Sequence, residues 1–251
     1  MLMRATQPFR KTEFEIMKSE VFNQDCMEGM RELPDNFADL AVCDPPYGIG
    51  VSKMAYTQED NMPVKQKNGN ILRVKSLNYK HADWDNKPPS PEYFIELFRV
   101  SKNQIIWGVN YMPIILNGGR IVWNKLNGNV TFSNCEIAYC SKHNNIKIFN
   151  FMWSGMCQGS TANGSKMEGN KKLNETRIHP TQKPVQLYGW IYKNYLPEGG
   201  KVIDTHLGSG SNRIAADKAG NIDFTGYEID KEYFEKAERR YKDFKSQLRM
   251  F

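Results

Sequence analysis

The 251-residue sequence lacks the long apolar runs of membrane proteins, because no stretch of about 18 apolar residues occurs in it. Residues 1–11 also lack the apolar block of a secretory signal and carry Arg4, Arg10 and Lys11 instead. Internal repeats with a period of about 20 to 50 residues are absent as well. We therefore expect a soluble, cytoplasmic protein with no membrane partner.

Cysteine and histidine are scarce, with five and four copies respectively. The cysteines form no C-x-x-C pair and no histidine stands at a zinc-ligand spacing from them, so we expect no metal site. An odd number of thiols in a chain of this length indicates a reducing compartment rather than a disulfide framework. With 12% aromatic and 25% charged residues, the composition is typical of a folded protein. We expect a single domain over residues 1–251.

Positive charge exceeds negative charge by only six, but the excess is concentrated in two stretches. Residues 48–80 carry a local charge of +4 and residues 141–183 carry +5, which leaves −3 for the rest of the chain. Both stretches are rich in Asn, Gly, Ser and Gln, which is typical of loops. Basic loops on a near-neutral body favour contact with a polyanion, with a merely solvated surface as the alternative. We treat 48–90 and 141–178 as loop insertions.

Hydrophobic patterns at both ends of the chain predict alternating strands and helices. Toward the C-terminus they predict a strand over 201–204, a helix over 213–219, a strand over 224–228 and a helix capped by Asp230. Toward the N-terminus they predict strands over 20–25 and 38–43 around a helix over 27–33. Further strand candidates are 103–107, 120–123, 136–139 and 147–152. We expect an α/β fold with a mostly parallel, doubly wound (Rossmann-like) sheet of about seven strands.

A glycine-rich turn joins the predicted strand 201–204 to the helix after it, in the sequence Asp204-Thr-His-Leu-Gly-Ser-Gly-Ser-Asn212. Glycines allow a ligand close to the backbone, and the amides of a helix N-terminus attract anionic groups. Arg213 replaces the third glycine of the dinucleotide fingerprint, whereas Glu228 stands at the spacing of a ribose-binding acid. This combination favours a nucleoside cofactor without a pyrophosphate, such as S-adenosylmethionine. A turn that serves geometry alone stays open.

A second motif, Asp44-Pro-Pro-Tyr-Gly48, directly follows the apolar strand 38–43. Consecutive prolines end the strand and hold the backbone extended, so a carboxylate, a fixed carbonyl and an aromatic ring share one small volume. If Asp44 and the Pro45 carbonyl accept the two hydrogens of a nucleobase amine, its nitrogen lone pair becomes free to attack a methyl sulfonium. Stacking of Tyr47 on the base would contribute about 1–3 kcal/mol. A stiff turn without a chemical role is the alternative.

With His179-Pro-Thr-Gln-Lys-Pro184, these motifs resemble the S-adenosylmethionine-dependent DNA amino-methyltransferases of bacteria and their phages. The catalytic motif precedes the glycine turn, which resembles the circularly permuted beta group of that N4/N6 family. The resemblance covers roughly residues 19–241 and implies site-specific methylation of the N6 amine of adenine in double-stranded DNA after base flipping. It favours adenine because Asp, not Ser, heads the tetrapeptide. N4-cytosine methylation and a non-catalytic DNA-binding module with a residual cofactor site stay open.

The motifs and the resemblance together assign roles to individual residues. The expected catalytic residues are Asp44, Pro45, Pro46 and Tyr47. The expected cofactor-binding residues are Asp25, Cys26, Asp44, Thr181, Gln182, Lys183, Asp204, Thr205, His206, Gly208, Ser209, Gly210, Ser211, Asn212 and Glu228. We expect His206 to contact the cofactor or support the site rather than to act as a base.

The two basic stretches supply the expected DNA contacts. The expected DNA-binding residues are Lys53, Lys65, Lys67, Arg73, Lys75, Lys166, Lys171 and Lys172. The lysines are expected to contact phosphates, and Arg73 is a candidate for reading bases. Tyr56 and Trp153 are aromatic candidates for filling the space that a flipped base leaves. Besides double-stranded DNA, a homodimer partner and a cognate restriction endonuclease are open possibilities.

Overall fold

The computed structural model describes residues 18–50, 62–65, 69–74, 85–128, 133–154, 157–159 and 174–248. In chain order its elements are β1 (Ser19–Phe22), α1 (Cys26–Glu32), β2 (Leu40–Cys43), β3 (Met62–Lys65), β4 (Ile71–Val74), α2 (Pro91–Val100), β5 (Gln104–Trp107), β6 (Gly119–Asn124), β7 (Cys135–Cys140), β8 (Ile146–Asn150), β9 (Met152–Ser154), β10 (Cys157–Gly159), α3 (Val185–Tyr195), β11 (Lys201–Asp204), α4 (Ser211–Ala219), β12 (Asp223–Tyr227) and α5 (Lys231–Leu248).

Eight strands form one central sheet in the order β1-β12-β11-β2-β5-β7-β6-β8. The first five strands in this order, β1, β12, β11, β2 and β5, pair in parallel. Strand β7 is antiparallel to both of its neighbours, and β8 is parallel to β6. The expected mostly parallel α/β sheet is confirmed, with one strand more than the seven expected. That the fold is circularly permuted stays a prediction.

Helices cover both faces of the sheet, because alternate residues of the central strands point to opposite sides. On β2, Leu40 and Val42 pack into the core formed with α3, α4 and α5. The intervening Ala41 and Cys43 pack into a second core formed with α1 and α2. All four residues of β2 are buried. The double winding follows from this pattern and leaves the strand ends free for a site.

Local signals explain where the helices begin and end. The Asp230 carboxylate accepts hydrogen bonds from the amides of Glu232 and Tyr233, so it caps α5 as expected. Gly220 ends α4 at a φ of +77°, a conformation that favours glycine. The patterns used above missed α2 and α3. Yet α2 starts at Pro91 after Ser90, which is an ordinary start signal.

The two predicted loop insertions contain regular structure. The antiparallel pair β3–β4 lies within 48–90, and within 141–178 β8 joins the central sheet while β9 and β10 pair with each other. In the described ranges no helix is long and apolar enough to cross a membrane. Those same ranges contain no cluster of three or more side chains suited to a metal ion.

Candidate active site

The candidate site lies where the carboxyl ends of adjacent parallel strands meet. The Asp44 tetrapeptide follows β2, the glycine turn follows β11, and Glu228 follows β12. Together with 179–183, which precede α3, these segments enclose a cleft of about 290 Å³. Its lining residues are Asp44, Pro45, Pro46, Tyr47, Asp85, His179, Thr181, Gln182, Lys183, Tyr188, His206, Leu207, Gly208, Ser209, Glu228, Ile229 and Tyr233.

The buried carboxylate of Asp85 fixes the backbone of the tetrapeptide. One of its oxygens, Oδ1, accepts the amide hydrogens of Tyr47 at 2.8 Å and of Gly48 at 2.9 Å. The two prolines before Tyr47 have no amide hydrogen to offer, so these are the first amides of the turn that a side chain can bind. Asp85 therefore holds the turn in place where the strand ladder has stopped.

Tyr47 has its position defined by close packing against Gly108. Gly108 follows β5 at a φ of +68°, and a Cβ built there would lie 2.1 Å from Cε1 of Tyr47. The ring also stacks on Tyr111 with centroids 5.3 Å apart and planes 16° apart. Only glycine lets the ring approach the backbone so closely.

The Tyr47 hydroxyl and Asp44 belong to a buried cluster of charges around Lys183. The Lys183 Nζ lies 2.5 Å from Asp44 Oδ1, 2.9 Å from Glu136 Oε2 and 3.0 Å from the Tyr47 hydroxyl. The hydroxyl donates to Asp44 Oδ1 at 2.7 Å, and Lys125 binds the other oxygen of Glu136 at 2.6 Å. Two cations and two anions thus balance in a site that water hardly reaches, since the Lys183 side chain is 1% exposed.

Burial and neighbouring charges shift the pKa values of Asp44 and Glu136 in this cluster in opposite directions. Burial raises the pKa of Asp44, Lys183 lowers it, and the charge of Glu136 raises it again, with a net upward shift. Burial also raises the pKa of Glu136, but Lys183 and Lys125 together outweigh it and bring the value to about 2. Burial lowers the pKa of Lys183, and the two carboxylates shift it upward overall. Glu136 is therefore the fixed anion and Asp44 the more easily protonated acid.

The glycine turn and Glu228 hold each other in place. Gly208 and Gly210 have φ values of +52° and +71°, and the Gly208 amide donates to Glu228 Oε2 at 2.8 Å. The second oxygen of Glu228 accepts from the Asp230 amide at 2.9 Å. Burial raises the pKa of Glu228 above its usual range. A Cβ at Gly208 would approach only the His206 carbonyl, at 3.9 Å, so this side of the turn is open to a ligand.

Asp204 and Asn212 support the turn from behind. The Asn212 side-chain amide donates to Asp204 Oδ2 at 2.8 Å and to the Val42 carbonyl at 3.0 Å, which joins the ends of β11 and β2. The Asp204 Oδ1 accepts the His206 amide at 3.1 Å. Burial raises the pKa of Asp204 to about 7. Neither residue lines the cleft, so both act through the shape of the turn.

Both histidines of the cleft are neutral near pH 7. Burial lowers the pKa of His206 to about 4 and, with the charges of Lys183 and Lys236, that of His179 to about 3. The Nδ1 of His206 shares a hydrogen bond of 2.9 Å with the Thr205 hydroxyl. A base that must accept a proton at neutral pH needs a pKa closer to 7, so neither histidine fits that role.

A family model described as DNA methylase, of the N6/N4 methyltransferase type, matches residues 38–239. The chain belongs to this family. It is similar to the type II methyltransferase M.HinfI of Haemophilus influenzae, at 26% identity over 90% of this chain and 68% of that protein. It is also similar to M.HpaI of Haemophilus parainfluenzae, at 26% identity over 89% of this chain and 74% of that protein.

Among solved structures, this DNA methylase resembles the cytosine-N4-specific PvuII DNA methyltransferase. The TM-score is 0.51 at 12% identity, and the alignment covers 89% of this chain and 86% of that chain. At this identity the likeness shows the fold alone. The comparison therefore leaves the choice of base to other arguments.

The structure gathers most of the expected site residues at the cleft of the DNA methylase. The tetrapeptide and Glu228 line it, as do Thr181, Gln182, Lys183, His206, Gly208 and Ser209. The other seven are not among its lining residues: Asp25, Cys26, Asp204, Thr205, Gly210, Ser211 and Asn212. Asp25 caps α1 through the Met27 amide, and burial raises the pKa of Cys26 to about 12. The individual roles stay predictions.

The expected DNA-contacting residues lie mostly outside the described part of the chain. Lys65 and Arg73 belong to β3 and β4, whereas Lys53, Lys67, Lys75, Lys166, Lys171, Lys172 and Tyr56 fall outside the described residues. The suggestion for Trp153 is wrong. Its ring is buried in the core beneath Arg177, and its Nε1 donates to the Gln182 carbonyl at 2.8 Å, so it supports 179–183 from inside.

Four residues that the sequence reasoning missed complete the site: Asp85, Gly108, Lys125 and Glu136. Gly108 offered a signal, since a glycine directly after a buried strand often adopts a positive φ. Glu136 offered a weaker one, as a carboxylate near the start of an apolar strand. Nothing local in the sequence marks Asp85 or Lys125.

Proposed function

We propose that this DNA methyltransferase transfers a methyl group from S-adenosylmethionine to the N6 amine of adenine in double-stranded DNA. DNA methylation itself follows from membership of the family. The carrying observation is that Asp44, the Pro45 carbonyl region and Tyr47 share one cleft with the glycine turn and Glu228. An amine acceptor and a nucleoside site in one cavity of this size are what transfer between two bound molecules requires.

The cleft suits the methyl donor in shape and in polar groups. S-adenosylmethionine supplies an electrophilic methyl group on a sulfonium. Glu228 would accept the ribose hydroxyls, and the open side of Gly208 would lie against the nucleoside. Leu207, Ile229 and Tyr233 provide apolar surface for an adenine ring. Lys183 faces the same cavity but is committed to Asp44 and Glu136, so it would orient the reacting end rather than bind a free carboxylate.

Asp44 would do most of its work on the target amine. Its carboxylate accepts one N–H of the amine, and the Pro45 carbonyl accepts the other, which withdraws the lone pair from the ring. When the nitrogen forms its bond to the methyl carbon, the carbon–sulfur bond breaks and its electron pair stays on sulfur. The nitrogen then carries one proton too many. Asp44, whose pKa is raised by burial, would take that proton and pass it to water.

The target base has to leave the duplex to reach this cleft, at a cost of a few kcal/mol. The basic stretches 48–80 and 141–183 flank the tetrapeptide and the lysine segment in sequence, so they are the proposed source of phosphate contacts. Adenine is preferred over cytosine because of Asp44 at the head of the motif. A cytoplasmic location, a homodimer and a partner restriction endonuclease are further expectations of this proposal.

The direct test is methyl transfer from labelled S-adenosylmethionine to duplex DNA, followed by digestion and separation of the nucleosides. We expect the label in N6-methyladenine. Label in N4-methylcytosine alone would replace the proposed base by the alternative one, and binding of DNA without transfer would leave only a DNA-binding module. The matched substrates are two duplexes, one that contains adenine and one that contains only G·C base pairs.

A further inference from the structure

The charges around Lys183 extend beyond the residues that the sequence motifs identify. In space, Lys125, Glu136, Lys183 and Asp44 form a continuous row of alternating sign, with contacts of 2.6, 2.9 and 2.5 Å. Their side chains are at most about one-fifth exposed. We call these four residues the charge row. Lys125 directly follows β6 and Glu136 lies in β7, so both are far from the tetrapeptide in sequence.

All three hydrogens of the Lys183 ammonium have acceptors in this arrangement: Asp44 Oδ1, Glu136 Oε2 and the Tyr47 hydroxyl oxygen. Asp44 Oδ1 in turn accepts two hydrogen bonds, one from Lys183 and one from Tyr47. Its second oxygen, Oδ2, receives no donor from the part of the chain that the structure describes. One oxygen of the Asp44 carboxylate is therefore used for positioning. Since Asp44 lines the cleft, the other oxygen is left for an incoming amine.

We propose that Glu136 is a positioning residue for methyl transfer. By holding Lys183 on Asp44 Oδ1, it keeps Oδ2 available for the amine, and Lys125 keeps Glu136 ionised for that purpose. The proposal rests on the proposed function only in taking Asp44 as the amine acceptor. It holds for adenine or cytosine alike.

Without Glu136, Asp44 is the one anion left in contact with Lys183 among the residues that the structure describes. The ammonium would then settle fully on Asp44 and compete with the amine for both oxygens. Other groups that act on Asp44 are Tyr47 of its own turn, Tyr188 of α3 and Asp204 at the end of β11. Burial raises the pKa of Tyr47 and of Tyr188 well above its usual value, so both are uncharged. The carboxylate of Asp204 is held by the Asn212 side chain and the His206 amide, so none of the three replaces Glu136 as the second anionic partner of Lys183.

Two variants are expected to shift the pH dependence of transfer in opposite directions. Glu136→Gln removes a negative charge near Asp44, so Asp44 should ionise at lower pH. The acid limb of the pH–rate profile, where the rate falls as Asp44 becomes protonated, should therefore move to lower pH. Lys125→Met removes the cation that balances Glu136, so the acid limb should move to higher pH. We expect displacements of about half a pH unit or more. The plateau rate of Glu136→Gln should also fall about 10-fold to 100-fold, as is common when a group behind a reacting residue is lost.

The measurement is the single-turnover rate of methyl transfer to DNA between about pH 5 and about pH 9, at saturating cofactor. Lys102→Met, which removes the partner of Asp39 at the opposite end of β2, is the matched control and should shift nothing. Cofactor affinity, measured by calorimetry, should stay unchanged in all three variants. Thermal unfolding checks that each variant is folded.

Opposite shifts with unchanged cofactor affinity support the proposal. An acid limb that stays in place in both variants, or that moves the same way in both, overturns it. If Glu136→Gln does not fold, the upward shift of Lys125→Met decides alone, and its absence counts against the proposal. Because the assay counts methyl groups on either base, a product of N4-methylcytosine would refute the proposed base without touching this comparison.

Discussion

The contact between Gly108 and Tyr47 gives a prediction whose magnitude follows from the structure. In Gly108→Ala the new Cβ would lie 2.1 Å from Cε1 of Tyr47, whereas carbon atoms in contact keep about 3.5–4.0 Å. The ring must therefore move by more than about 1 Å, and a displacement of that size at a reacting group costs about 100-fold in rate. We expect this loss in the single-turnover rate of methyl transfer, with cofactor affinity unchanged.

Backbone strain accompanies the substitution and needs its own control. A residue with a side chain at a φ of +68° costs about 1–2 kcal/mol. Gly220→Ala carries the same strain, since Gly220 has a φ of +77° and no described atom lies within 4 Å of its added Cβ. It should lose similar stability in urea unfolding but keep full activity. Transfer by Gly108→Ala within about threefold of the parent rate would refute the argument that packing on Gly108 places the ring.

Three further predictions concern the cofactor, DNA and pH. Glu228→Gln should weaken S-adenosylmethionine binding about 10-fold to 100-fold in calorimetry, because the amide has no negative charge and only one acceptor oxygen. Glu96→Gln on α2 is the control and should not weaken binding. An affinity of Glu228→Gln equal to that of the parent would exclude the ribose role. Replacing Lys166, Lys171 and Lys172 by Ala should weaken DNA binding and flatten its salt dependence without changing cofactor affinity, with Lys242→Ala as control; loss of both would show that the lysines serve the fold. His179 and His206 have folded pKa values of about 3 and about 4, below their unfolded value of 6.5, so their contribution to stability is complete above pH 6.5 and is lost as pH falls from there toward those values. Urea unfolding of the parent should show this loss, and it should diminish in His206→Asn; an identical pH dependence would contradict the buried neutral state.

The sequence was informative where a motif directly follows a buried strand. The tetrapeptide follows β2 and the glycine turn follows β11, and since these strands are parallel neighbours, their motifs had to meet at one edge. The same reasoning could not find Glu136, which reaches Lys183 from β7. That strand is antiparallel to β5, so its first residues, not its last, lie at the site edge. Pairing direction is a property of the whole sheet rather than of the local pattern.

The misplaced Trp153 shows a different limit. An aromatic residue in a polar, basic stretch looks like a surface contact, but here it fills the core under Arg177 and supports Gln182. The helices α2 and α3 were not predicted, although both have regular helical signals in their sequences. Asp85 had no signal at all, because its role depends on two amides of a turn more than 30 residues earlier.

The measurement that tests the central claim most directly is the behaviour of Asp44→Ala. Lys183 would still be paired with Glu136, so the variant strands no buried cation and should fold. We predict S-adenosylmethionine binding equal to that of the parent in calorimetry, together with a loss of methyl transfer to DNA of about 1,000-fold. Near-full transfer by Asp44→Ala would contradict the account, because the target amine would then not depend on this carboxylate.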